Sequence, residues 1–151
     1  MATTAEGRTP VHLWIVGILS LLWSCFGAYD YTMTRMRDTD YIAKAMPGVD
    51  PNAALSWVDA MPLYAQAGWA LGVWLALLGS VLLLMRSRWA VWSYGLSFIG
   101  AVLSLGWQIA LAPPMPGASG AMYTVMPYVI ILIAAFLLWY SWSADKKGLL
   151  R

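Results

Sequence analysis

Asp30, Gln66 and Gln108 are the side chains whose types and positions could do chemistry, because each falls near the end of a long apolar stretch. A carboxylate accepts hydrogen bonds and an amide both donates and accepts them. The three together would suit the hydroxyls of a small polar solute, a sugar among them. Trp69 and Trp107 stand close to the two glutamines in the chain, and would add flat apolar faces on which a sugar ring could rest. A carboxylate in hydrocarbon costs about 2.5–3.5 kcal/mol at the bilayer centre, so it faces protein or water. Two readings of Asp30 follow. In one it points inward and shares hydrogen bonds with Gln108 or Gln66. In the other it sits at headgroup level, is hydrated, and ends its span.

The remaining reactive groups are few. His12 is the single histidine and Cys25 the single cysteine, so neither a paired-histidine metal site nor a disulfide framework can be assembled. His12 lies beside Trp14 and reads as an interfacial anchor, with titration or ligand binding as the alternative; Cys25 reads as a small packing residue. The two are separated on the first apolar stretch with no evident base or oxyanion partner, so no enzyme, metal or cofactor is expected. No Glu, Lys, Arg or His interrupts the middle of any apolar stretch, which leaves no proton relay. A net charge of +2, scattered along the chain, argues against nucleic acid, which requires a clustered basic face.

These residues must be positioned by elements that live in lipid. Sixty-one per cent of the 151 residues are hydrophobic and 11% charged, whereas soluble domains carry about a quarter charged residues. Four apolar runs, Val11–Met33, Leu63–Met85, Trp89–Ala112 and Ala121–Ser143, reach the roughly 20 residues a helix needs to cross ~30 Å of hydrocarbon. Within a bilayer every backbone amide is satisfied locally, so such runs become helices, and the alternation of a barrel is absent. The expected fold is all-α: a single transmembrane domain built as an antiparallel four-helix bundle. Arg86-Ser87-Arg88 joins the second and third helices as a hairpin, and Pro113-Pro114-Met115-Pro116-Gly117 joins the third and fourth. The connection 34–62 is a cap too short and polar for its own core. Within it, Asp50 and Pro51 read as an N-cap and first helical residue of a short helix lying on the membrane surface. A cleaved signal peptide is the competing reading of the first run, which is longer than the usual signal core.

Helices in lipid associate through small residues and polar contacts. The first helix offers Gly17, Ser20, Ser24 and Gly27 at helical spacing, the second Ala65, Gly68, Gly72 and Gly79, and the third Ser93, Ser97, Gly100 and Ser104. The fourth has no such seam and should pack peripherally. The seams account for a tight intramolecular bundle; one of them joining two copies is the alternative. Partners are accordingly the lipid bilayer and, through helix faces, a homo-oligomer or other membrane proteins. Arg8, Arg86, Arg88, Lys146, Lys147 and Arg151 fall on one side, against Arg35, Arg37 and Lys44 on the other. This bias puts both termini in the cytoplasm.

The stretch His12-Leu-Trp-Ile-Val-Gly-Ile-Leu-Ser-Leu-Leu-Trp, continued by Phe26-Gly-Ala-Tyr-Asp-Tyr-Thr-Met-Thr, resembles the start of a family of small four-helix bacterial inner-membrane proteins. The segment from Gly72 to Val91, with its Arg-Ser-Arg turn, is similar to that family's second helix. The resemblance covers the first two-thirds of the chain and brings no catalytic or binding residues with it. It implies a bacterial inner-membrane location. Members sometimes carry an automatically transferred sugar-transporter label. Two functions are therefore weighed: an accessory or structural component acting through helix contacts, and, as the alternative, a small-solute transporter or binder working as an oligomer.

Overall fold

The computed structural model describes residues 8–151, among which all regular structure is helical. Six helices run in order: α1 Val11–Arg35, α2 Thr39–Ala45, α3 Pro51–Asp59, α4 Leu63–Leu84, α5 Trp89–Ala110 and α6 Ala121–Lys146. Four of them, α1, α4, α5 and α6, are long and apolar enough to cross a membrane. Pro10 and Pro62 stand just before α1 and α4, where a missing N–H costs nothing because the first helical amides lack intrahelical partners.

α4 is the hub. It packs along α5 and against α1, while α5 carries α6 on another side. The α4–α5 contact is set by glycine. A methyl group at Gly68 would stand 2.7 Å from the Gly100 carbonyl oxygen, and one at Gly100 would stand 2.6 Å from the Gly68 oxygen and 2.8 Å from the Gly72 nitrogen. The backbones therefore meet with no side chain between them. Farther along, Gly79 lies under the ring of Tyr94, and Gly17 of α1 receives Leu84. Gly27 departs from expectation: nothing lies within 4 Å of where its Cβ would be, so it does not belong to the α1 seam, whose buried residues are Leu13, Gly17, Ser20, Ser24 and Ala28. α6 is the least buried span, at 11% of its most apolar window against 22–33% for the others.

Both turns that follow α1 and α4 use the same device. Among the described residues, Arg37 and Arg86 are the non-glycine residues with positive φ, at 60° and 59°, a left-handed conformation that costs an L-residue roughly 1–2 kcal/mol. Backbone bonds Asp38 N to Met33 O and Ser87 N to Leu82 O close each helix end in the pattern usually completed by glycine. Each arginine side chain is also anchored, Arg37 on Asp59 and Arg86 on the Leu149 carbonyl.

The connection between α1 and α4 is more structured than its composition suggests. The expected helix from Pro51 forms, and the Asp50 carboxylate accepts from Asn52 N at 3.3 Å. A further helix, α2, precedes it, capped by Asp38, which accepts from Tyr41 N at 2.8 Å. Ile42, Val49, Ala54 and Leu55 form a small buried cluster with Met115, Ala118 and Tyr123 packed against it. The cap thus builds a core by borrowing side chains from the α5–α6 connection. Gly117, at φ 81°, brings the two loops together: its Cβ would fall 2.7 Å from the Gly48 oxygen.

Candidate functional site

At the cap end, the three polar residues expected to converge are engaged separately. Asp30 accepts a hydrogen bond from the Tyr41 hydroxyl at 2.8 Å. Gln66 donates to the Met61 carbonyl at 2.8 Å and receives a long contact from Arg35 at 3.4 Å. Gln108 is half-buried, and no hydrogen bond joins any two of Asp30, Gln66 and Gln108. The shared cluster is therefore corrected: the partner of Asp30 is supplied by α2. Trp107 and Trp69 do not form an open stacking surface either. Trp107 is 8% exposed, covered by Trp57 with ring centroids 5.2 Å apart. Trp57 is fixed in turn by its indole N–H donating to the Pro113 carbonyl at 2.8 Å. Trp69 meets Tyr31 edge-to-face at 4.7 Å.

The exposed face of the cap carries a forked ion pair, with Arg37 nitrogens 3.1–3.2 Å from both Asp59 oxygens. The hydrogen bond and the charge of Asp59 raise the Arg37 pKa, and the hydrogen bond from Arg37 holds the Asp59 carboxyl below its usual range. Burial raises the Tyr41 pKa, reinforced by its bond to Asp30, so Tyr41 stays a neutral donor to that carboxylate. A recess of about 100 Å³ lies beside the pair, bounded by Thr34, Arg35 and Val58.

The bundle interior holds a different polar constellation. Ser24 of α1 lies 3.2 Å from Ser80 of α4, Ser80 lies 3.0 Å from the Tyr94 hydroxyl of α5, and Tyr94 donates to Ser20 of α1 at 3.2 Å. Ser20 donates to the Gly17 carbonyl at 3.0 Å. Each hydroxyl has one hydrogen to give. When Ser80 gives its own to Tyr94 rather than to the Ala76 carbonyl at 2.9 Å, the four form one directional chain: Ser24 to Ser80 to Tyr94 to Ser20 to the Gly17 carbonyl. Such a chain strengthens each bond by polarising the next. All four residues are buried, at 0–4% exposure. Two more hydroxyls cross the α4–α5 seam, Ser93 to the Leu75 carbonyl at 2.7 Å and Ser97 to the Gly72 carbonyl at 2.6 Å. Ser104 is buried on the same face. Among the described residues no buried side-chain nitrogen or oxygen lacks a partner.

Sequence spacing named Ser20 and Ser24 but missed Ser80 and Tyr94. Ser80 adjoins Gly79, and Tyr94 adjoins Ser93; one step beyond the small-residue seams of α4 and α5 would have reached both. An isolated Tyr in an apolar run is itself a signal, because a buried phenol seeks a hydrogen-bond partner.

Beside this chain, α1 and α6 part to leave an apolar cleft of about 220 Å³, with Val16, Leu19 and Trp23 on one wall and Ile133, Phe136 and Leu137 on the other. Ser20 also lines it. One end of the cleft is bridged by a hydrogen bond between His12 Nδ1 and the Tyr140 hydroxyl, the rings lying edge-on at 5.9 Å. Beyond the bridge stands a basic end. Arg88 pairs with Asp145 at 2.8 Å, Lys146 rests over the Trp142 ring at 3.6 Å, and Arg151 exchanges backbone hydrogen bonds with Arg86 and Arg88.

No family model, curated protein or solved structure matches the chain. Among the described residues, no three His, Cys, Asp or Glu side chains converge in a way that could hold a metal ion.

Proposed function

We propose that this chain is a bacterial inner-membrane protein, an antiparallel four-helix bundle with both termini in the cytoplasm, that serves as an accessory or structural component through its outer helix faces. The observation that carries the reading is the commitment of the interior hydroxyls. Ser20, Ser24, Ser80 and Tyr94 bond to one another, and Ser93 and Ser97 bond to α4 carbonyls. An interior tied together in this way offers a rigid outer surface and few spare polar groups along a path for a solute. The antiparallel arrangement is supported by the order of the α4–α5 contacts: Gly68 meets Gly100 and Leu103, Gly72 meets Ala101, and Gly79 meets Tyr94. The orientation is supported by the basic residues gathered at the end holding the α4–α5 turn. A reporter fused after Arg151 tests it, and activity on the outer side of the membrane would overturn it.

The solute-binding alternative draws on Asp30, Gln66, Gln108, Trp69 and Trp107, of which all but Gln108 already have protein partners. The deciding experiment is the thermal stability of the purified protein in detergent against a panel of sugars and other small polar solutes, with Asp30→Asn beside it. A ligand that binds only the folded form raises apparent stability, by about 2.7 kcal/mol at a hundredfold excess over Kd. The accessory reading expects no solute-specific shift; a shift that Asp30→Asn removes would replace it with a binder or transporter.

A further inference from the structure

The cleft between α1 and α6 is an open groove on the outer surface that the hydroxyl chain does not explain. Its walls are Val16, Leu19 and Trp23 against Ile133, Phe136 and Leu137. Its polar contribution is the Ser20 hydroxyl, which already donates to Gly17 and accepts from Tyr94. Water would find too few partners there, so the occupant is apolar where it meets these walls.

The end of the cleft specifies the rest of that occupant. Tyr140 follows Phe136 and Leu137 by one turn, and its bond to His12, one turn before Val16, sets two polar rings beside that end of the cleft. Lys147 lies seven residues beyond Tyr140 at the C-cap of α6, hence on the same side of the helix as the cleft wall. The described residues at this end include Arg8, Arg86, Arg88, Lys146, Lys147 and Arg151. They include one carboxylate, Asp145, which Arg88 already holds. Lys146 rests on Trp142, and Lys147 makes no ion pair with a described residue. An apolar slot leading to surplus positive charge complements a molecule with a hydrocarbon tail and an anionic head.

We propose that the α1–α6 cleft binds one acyl chain of an anionic phospholipid from the surrounding bilayer, with its phosphate at the Lys147 end beside the His12–Tyr140 bridge. This site is independent of the accessory role, because a transporter could carry it equally.

The test uses the full chain, delipidated in a mild detergent, with lipid retention counted by native mass spectrometry and melting followed in parallel. Phosphatidylglycerol, phosphatidylcholine with the same chains, and glycerol phosphate serve as probes. Phosphatidylglycerol alone should be retained and should raise the melting temperature. Lys147→Gln should weaken its binding about fivefold, as expected for one basic residue near an anionic headgroup. Leu19→Trp should fill the cleft and abolish retention; Leu19 is 61% exposed, so the larger side chain has room to settle. Ile133→Trp fills the cleft from the other wall and serves if the first variant misfolds. Equal binding of phosphatidylcholine, an equal effect of glycerol phosphate, or retention that survives both tryptophans would overturn the proposal. So would a dimer that the tryptophans dissociate, because a second copy would then be the occupant.

Discussion

Replacing Tyr94 with Phe removes one oxygen from the centre of the chain that joins α1, α4 and α5. The hydroxyl gives a hydrogen to Ser20 at 3.2 Å and stands 3.0 Å from Ser80. Its loss strands no donor. Ser20 keeps its bond to the Gly17 carbonyl, and Ser80 has the Ala76 carbonyl at 2.9 Å as well as Ser24. The penalty of about 1–3 kcal/mol for an orphaned buried group is therefore avoided. What remains is the worth of two interhelical bonds, each about 0.6 kcal/mol on average in a membrane bundle and at most about 1.7. The expected cost of Tyr94→Phe is about 1–2 kcal/mol, or roughly 2–8 °C in melting temperature for a chain of this length. Tyr94→Ala should cost about 3–5 kcal/mol, because it also empties the space against Gly79. The assay is reversible unfolding in mixed micelles by titration with a denaturing detergent, followed by far-ultraviolet circular dichroism. A Phe variant indistinguishable from the parent, or as damaged as the Ala variant, would refute the hydroxyl chain as a separable source of stability.

In the same titration, Gly100→Ala should destabilise by about 1–3 kcal/mol, because its methyl meets backbone atoms at 2.6 and 2.8 Å. Gly27→Ala, with open space around it, should be neutral or should gain up to the ~1 kcal/mol of helix propensity; equal effects at the two positions would undo the packing assignment. The Asp59 pKa is depressed in the folded cap by Arg37, so the stabilisation from this pair is present above the ordinary carboxylate value of about 4 and is lost as pH falls through the lower folded value. Protection of the α3 amides, taken relative to the intrinsic exchange rate at each pH, should therefore fall below about pH 4, and Asp59→Asn should abolish that dependence. The Tyr41 pKa is raised, so its contribution is present below about pH 10 and is lost as pH rises toward the folded value. Protection of the α2 amides, taken relative to the intrinsic exchange rate at each pH, should fall there, and in Tyr41→Phe it should not.

Periodicity and composition made the membrane helices legible. The apolar runs 11–33, 63–85, 89–112 and 121–143 correspond to helices 11–35, 63–84, 89–110 and 121–146, and Asp50-Pro51 marked the start of α3. The shared polar cluster and the open stacking surface did not form at the cap end, for one physical reason. Reading Asp30 against Gln66 and Gln108 took the spans alone as its neighbours, whereas α2 brings Tyr41 to it and α3 brings Trp57 over Trp107. A seven-residue helix capped by Asp38 leaves too little periodicity to be noticed. Its stability comes instead from Ile42 packing with Val49, Ala54 and Leu55 under Met115, Ala118 and Tyr123, which are remote along the chain. The α1 seam was read at Gly27 where its neighbour Ala28 is the buried residue, because small size permits close approach without requiring a neighbour. Tyr94 went unnoticed because its partners sit on two other helices.

The pairing of Arg151 with Arg86 and Arg88 gives assembly a temporal order. The Arg151 N–H donates to the Arg86 carbonyl at 2.6 Å, and the Arg88 N–H donates to the Arg151 carbonyl at 2.9 Å. The residues completing the turn are made long after it. At about 5–20 residues per second, the 63 positions from Arg88 to Arg151 take roughly 3–13 s to emerge. During that interval α1, α4 and α5 can already exchange hydroxyl bonds, while the turn has only water for company. The later-made segment, carrying buried Leu150 into the cluster of Leu13, Leu83 and Tyr94, then acts as a clasp on the helices made before it.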